Sequence, residues 1–116
     1  MAATYDFEIE QGANLVLSFV WKDSTATPID LTNYTARMQI RKSKSATATQ
    51  LDISTSDYIT LGDALGTISI DVPASVTAAL DFTSGVYDLE LVSGDGNATV
   101  YRFLQGCVEL NKEVTR

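Results

Sequence analysis

The chain has 116 residues, 45% of them apolar, and 15 acidic against 8 basic side chains, for a net charge of −7. That length is one domain, 1–116, able to build a single core without staples. The acidic balance argues against a nucleic-acid backbone and an anionic membrane surface as partners, since both need clustered cations.

Tyr5 to Gln11 alternates, with Tyr5, Phe7 and Ile9 against Asp6, Glu8 and Glu10. This reads as a first strand with an acidic outer face. No basic n-region and no apolar h-region precede it, so a signal peptide is not expected. No apolar run has the length of a transmembrane helix. The expected site of synthesis is therefore the cytoplasm. Gly12 marks a break, and Asn14 to Lys22 forms the second strand, with Leu15, Leu17, Phe19 and Trp21 inward. Trp21 reads as the large core aromatic. Val16 and Val20 on the opposite face imply partial cover by a neighbouring subunit.

Residues 23–28 are a turn by composition, and Ile29-Asp30-Leu31 is a short extended piece whose corner Asp30 or Thr32 would hold. Asn33 to Lys42 is the third strand, with Tyr34, Ala36, Met38 and Ile40 inward and Thr35, Arg37, Gln39 and Arg41 outward. The polar stretch 42–49 reads as a mobile loop. Short strands follow at 50–54 and 58–61, then a turn at 62–66 and a strand at 67–72 with Ile68, Ile70 and Val72 inward. Residues 73–80 are the one helix-like segment, long enough for one or two turns across one end.

Gly85 to Ser93 is a strong strand with Tyr87, Leu89 and Leu91 inward, and residues 93–97 are a hairpin turn. The partner strand, 98–110, has apolar residues on both faces: Val100, Leu104, Val108 and Leu110 on one, Tyr101, Phe103 and Cys107 on the other. Gly106 reads as a bulge. Seven to nine short strands with almost no helix give an all-β, antiparallel two-sheet sandwich, with a closed barrel as the alternative.

Chemistry is sparse in this chain. Histidine is absent, which removes the commonest general base and metal ligand. No nucleophile elbow, P-loop or dinucleotide fingerprint occurs. The carboxylates sit on outer strand faces or in turns, so no catalytic, cofactor or metal residue is assigned, and an enzyme is not expected. The single cysteine, Cys107, reads as a small buried hydrophobe. Ser93, Asp95 and Asn97 offer oxygens at alternate positions, but a hairpin turn accounts for them without calcium. Arg37 and Arg41, with Lys42 and Lys44 behind, form the basic cluster. The acidic first strand is its complement, within one subunit or between two. Tyr101 and Phe103 could form a subunit interface.

Two resemblances add to this reading. Gly85-x-Tyr87-x-Leu89 resembles the tyrosine corner of immunoglobulin-like sandwiches. FEIEQGANLVLSFVWKDSTATPIDLTNYTARMQIRKS resembles a signature of small tailed-phage and prophage structural proteins, in which F-x-I-x-Q-G is followed by Asp-Gly-x-P-[IV]-D-L-T-[GN]-Y-T-A-x-[ML]-Q-[IV]-R. It is similar to the immunoglobulin-like N-terminal domain of upper baseplate proteins from phages of Gram-positive hosts. The best-matched part is Pro28 to Thr32 with Tyr34-Thr35-Ala36. Thr25-Ala26-Thr27 replaces the Asp-Gly of the turn. GTISIDVPASVTAAL and SGVYDLELVSGDG fit the later part of the same pattern.

The resemblance implies an immunoglobulin-like sandwich and a non-enzymatic virion structural protein on the tail, baseplate or neck. Its partners would be other phage structural proteins and further copies of itself, with no nucleic acid, membrane or cofactor. A capsid decoration protein and a receptor- or carbohydrate-binding sandwich are the alternatives. The latter would display Tyr58, Tyr101 and Phe103 as groove aromatics.

Overall fold

Alternation in the sequence becomes alternation in burial. In the computed structural model, which describes residues 3–94 and 99–114, nine strands are present among the described residues. They are β1 (Ala3–Thr4), β2 (Phe7–Glu10), β3 (Leu15–Val20), β4 (Thr35–Arg41), β5 (Leu51–Ser54), β6 (Ile59–Leu61), β7 (Thr67–Val72), β8 (Ser84–Val92) and β9 (Val100–Asn111). A 3-10 turn at Asp63–Leu65 precedes β7, and one short helix, α1 (Ala74–Thr77), follows it. The protein is all-β. Among the described residues no helix is long and apolar enough to cross a membrane.

The strands form two separate sheets. The larger has the order β1-β9-β8-β4-β5, with β2 also on β9, and the smaller has the order β3-β7-β6. The expectation of antiparallel pairing throughout needs one correction: β1 and β2 run parallel to β9, so the larger sheet is mixed. Side-chain alternation fixes which face is buried and is silent on strand direction. The parallel pairs join the two ends of the chain, where no tight turn dictates an antiparallel return.

Between the sheets lies one core. Ile9, Met38, Ile40, Ile53, Ile68, Ile70, Val72, Leu89, Leu91 and Val108 are essentially inaccessible. Each fully buried aliphatic side chain of this kind contributes roughly 1.5–3 kcal/mol. Leu31, from the extended piece before β4, plugs the same core. Its corner is held as expected: Asp30 Oδ1 accepts from the Thr32 hydroxyl at 2.6 Å and the Thr32 amide at 3.0 Å. Asn33 then takes a left-handed φ of 67°, a conformation asparagine tolerates better than most residues.

Helix α1 crosses one end of the sheets. Thr77 anchors it, fully buried, donating to Ala13 O at 2.7 Å and accepting from the Gly12 amide at 3.1 Å. Of the hairpin turn expected at 93–97, Asp95, Gly96 and Asn97 lie outside the described residues. Ser93 and Thr99 close its base, the Ser93 amide donating to Thr99 O at 2.9 Å.

Two further expectations change. Trp21 is half-buried at the rim of the core, not at its centre. Tyr87 does not form a tyrosine corner with backbone a few residues upstream. Its hydroxyl crosses to the link between β1 and β2 and donates to Tyr5 O at 2.5 Å.

Candidate interaction surface

The outer faces of the two sheets differ in chemistry. On the larger sheet, β4 presents Arg37, Gln39 and Arg41, and β8 presents Asp88 and Glu90. The register sets Arg37 opposite Glu90 and Gln39 opposite Asp88. Arg37 Nε meets Glu90 Oε1 at 2.8 Å, Arg102 Nε lies 3.6 Å from Asp88, and Gln39 donates to Asp52 at 3.3 Å. The complement of Arg37 is thus Glu90 within the same sheet, rather than the acidic first strand.

Arg41 has a local task. Its Nη1 donates to Ala46 O at 2.9 Å and Thr47 O at 2.7 Å, and its Nη2 donates to Gln39 Oε1 at 2.9 Å. It therefore ties the 42–49 loop to the sheet. Beside it lies a cavity of about 440 Å³ whose lining includes Gln39, Arg41, Lys44, Asp88, Arg102 and Cys107.

Tyr101 and Phe103 lie on the other side of that sheet. The register of β8 with β9 slips between Leu89↔Leu104 and Glu90↔Arg102, which leaves Phe103 as an extra residue. The bulge is there and not at Gly106. A bulge reverses the phase of everything before it, so Tyr101 turns inward and Val100 outward. Tyr101 sits 5.3 Å from Trp21 and 6.5 Å from Tyr34. Phe103 sits 5.8 Å from Trp21 and 6.3 Å from Phe19. These rings close one flank between the sheets. The four residues expected to share an interface therefore fall on opposite sides of the larger sheet: Arg37 and Arg41 outside, Tyr101 and Phe103 inside.

Cys107, expected to be a buried hydrophobe, is exposed on the outer face. On β9 the inward positions after the bulge are Leu104, Val108 and Leu110, which leaves Cys107 between them pointing out.

The smaller sheet carries almost no charge outside. Val16, Ser18 and Val20 on β3 lie opposite Asp71, Ser69 and Thr67 on β7. Val16 is 66% exposed and Val20 45%.

Titration behaviour follows the local geometry. Burial, then the charge of Asp6, then Tyr5, push the Tyr87 phenol above its ordinary 10.0. Asp23 is held below the usual carboxylate range by the Thr25 hydroxyl and the Thr27 and Thr25 amides, and Asp30 by the Thr32 hydroxyl and amide. Among the described residues no group of three or more His, Cys, Asp or Glu is placed to hold a metal ion.

Glu90, Asp88 and Arg102 were not singled out by sequence as part of a site, whereas Lys44 was placed in the basic cluster. The alternation of β8 already places Asp88 and Glu90 outward. What is missing is the pairing partner, because β4 and β8 are joined by no short turn. No protein-family model and no curated protein matches the chain.

Proposed function

We propose that this chain is a non-enzymatic structural protein of a tailed-phage virion, built on an immunoglobulin-like sandwich and assembling by protein–protein contacts on the tail, baseplate or neck. The observation that carries the fold reading is the strand order. The division of β9-β8-β4-β5 from β3-β7-β6, with the first strand parallel to the last, is compatible with a variable-type immunoglobulin arrangement. The phage reading rests on the resemblance of the 7–43 stretch, best matched at Pro28 to Thr32 and Tyr34 to Ala36. Its support is that Asp30, Leu31, Thr32 and Asn33 each perform a definable step in the corner between the sheets. A carbohydrate-binding reading would rest on Tyr58 and Tyr101, 40% and 39% exposed, because Phe103 is half-buried against Trp21 and Phe19.

The test is mass spectrometry and immunogold labelling of purified particles from the phage or lysogen that encodes the chain. Recovery in stoichiometric amount with label on the tail supports the proposal. Label on the capsid surface would replace it with the decoration reading. Intact particles that lack the chain would refute it.

A further inference from the structure

Strand β3 is an edge of the smaller sheet, and among the described residues it is the one long edge without a guard. β2, on the larger sheet, carries Glu8 and Glu10; β5 carries Asp52; β6 has only three residues. Charges and short length are the usual protection against edge-to-edge pairing. Across Leu15–Val20 there is no charge, no proline and no bulge.

The backbone phase of this edge follows from its inner neighbour. The Trp21 amide donates to Gly66 O at 2.9 Å, which continues the β3–β7 register of Leu15↔Val72 through Val20↔Thr67. Odd-numbered residues therefore turn their N–H and C=O toward β7, and Val16, Ser18 and Val20 turn theirs to the free side. Among the described residues no strand pairs with β3 there.

We propose that a second copy of this chain pairs with that edge, β3 against β3, antiparallel about a two-fold axis through Ser18. The sequence is self-complementary in this register. Ser18 faces the second copy's Ser18, and Val16 faces its Val20, each pair exchanging both backbone hydrogen bonds. On the outer surface the exposed valines cover one another. On the inner side Leu17 meets the second copy's Phe19, and Leu15 its Trp21. Leu17, Phe19 and Trp21 are only partly buried within one copy, so pairing completes their burial. Aliphatic–aromatic and valine–valine cross-strand pairs each add a fraction of a kcal/mol beyond the ladder itself.

Charge selects the antiparallel direction and opposes a parallel one. Lys22 marks one end of the outer face, and Asp71, beside Val16, marks the other. The two-fold brings the Lys22 end of each copy to the Asp71 end of its mate and keeps like charges apart. The interface is isologous, so it closes at two copies and does not propagate into a fibre. This inference rests on β3 alone and stands whether or not the virion reading holds.

The test is sedimentation of the full chain with two sets of variants. The wild type is expected to run as a dimer that dissociates on dilution. Val16→Lys sets an ammonium diagonal to the second copy's Lys22 and removes both valine pairs. Because Val16 is already exposed, the variant keeps its circular dichroism and melting temperature, while dimerisation weakens about a hundredfold. In a Cys107→Ser background, Ser18→Cys is expected to form an intersubunit disulfide on mild oxidation, since Cα atoms of such a pair lie about 5.5 Å apart, within bridging range. Val20→Cys in the same background stays uncrosslinked, because its mate is offset along the strand. A wild type that remains monomeric at all concentrations, a dimer indifferent to Val16→Lys, or equal crosslinking of the two cysteine variants would overturn the proposal.

Discussion

The attachment of the first strands to the last one is predicted to hinge on a single carbonyl. Tyr5 O accepts the Tyr87 hydroxyl at 2.5 Å, while the Tyr5 amide donates to Gln105 O at 2.9 Å and Asp6 Oδ1 accepts the Cys107 amide at 2.8 Å. Gly106 lies between these contacts. A Cβ there would overlap Tyr5 O and stand 2.7 Å from Asp6 Oδ1. Gly106→Ala must therefore push the 5–6 segment off β9, an overpacking effect of about 1–3 kcal/mol. Tyr87→Phe keeps the ring, which is 5% exposed, but leaves the carbonyl without its donor, at about 1–2 kcal/mol. For a domain of this length each kcal/mol lowers Tm by about 4 °C. Because both changes act on one oxygen, the double variant should lose less than the sum of the two single losses. Urea and thermal unfolding of the four proteins measure this, with hydrogen exchange at Phe7 and Ile9 reporting release of the strand. Strictly additive losses, or a Tyr87→Phe protein as stable as the wild type, would refute the reasoning.

Thr77→Val should cost about 1–3 kcal/mol, because it strips Ala13 O and the Gly12 amide of a buried partner; chemical denaturation measures it. Arg37→Ala should cost under about 1 kcal/mol, since the Arg37 and Glu90 side chains are 55% and 21% exposed and the pair is screened; a melt repeated at high salt should show the small difference vanish. Asp23 and Asp30 have folded pKa values below the ordinary 3.8. Their contribution is present above 3.8 and is lost as pH falls through the lowered values, so Asp30→Asn should blunt acid unfolding relative to wild type. Tyr87 has the opposite sign: its raised pKa gives stability that is full below 10.0 and declines as pH rises beyond it, and Tyr87→Phe should flatten that alkaline limb.

The buried faces of β2, β4, β7 and β8 were legible because period-two patterning directly encodes which face is wet. Ile9, Met38, Ile70 and Leu89 all fall where alternation puts them. What the pattern could not carry was anything set by a partner strand. The parallel pairing of β2 with β9 and the opposition of Arg37 to Glu90 depend on neighbours more than 50 residues away in sequence. The bulge at Phe103 misled in a specific way. With apolar residues on both faces of β9, alternation alone fits two phases, and glycine at 106 pointed to the wrong place for the slip. Gly106 answers instead to the approach of the Tyr5 backbone. Tyr87 resembled a tyrosine corner, but its hydroxyl reaches backbone at the opposite end of the chain.

The placement of β1 and β2 also determines which surface is left over. Both β1 and β2 pair with β9, so among the described residues β3 has a sheet neighbour on one side only. The charges that guard an edge are spent on β2, where Glu8 and Glu10 bond to Asn111 at 2.7 and 3.1 Å. The ion pairs of the larger sheet are likewise satisfied within one copy. Charge that is already paired has little left to offer a partner, whereas unpaired backbone at an apolar edge gains hydrogen bonds and burial together when a strand arrives. The physically incomplete part of this molecule is therefore the edge that carries Val16, Ser18 and Val20, and not the arginine-bearing face that the charge pattern of the sequence draws attention to.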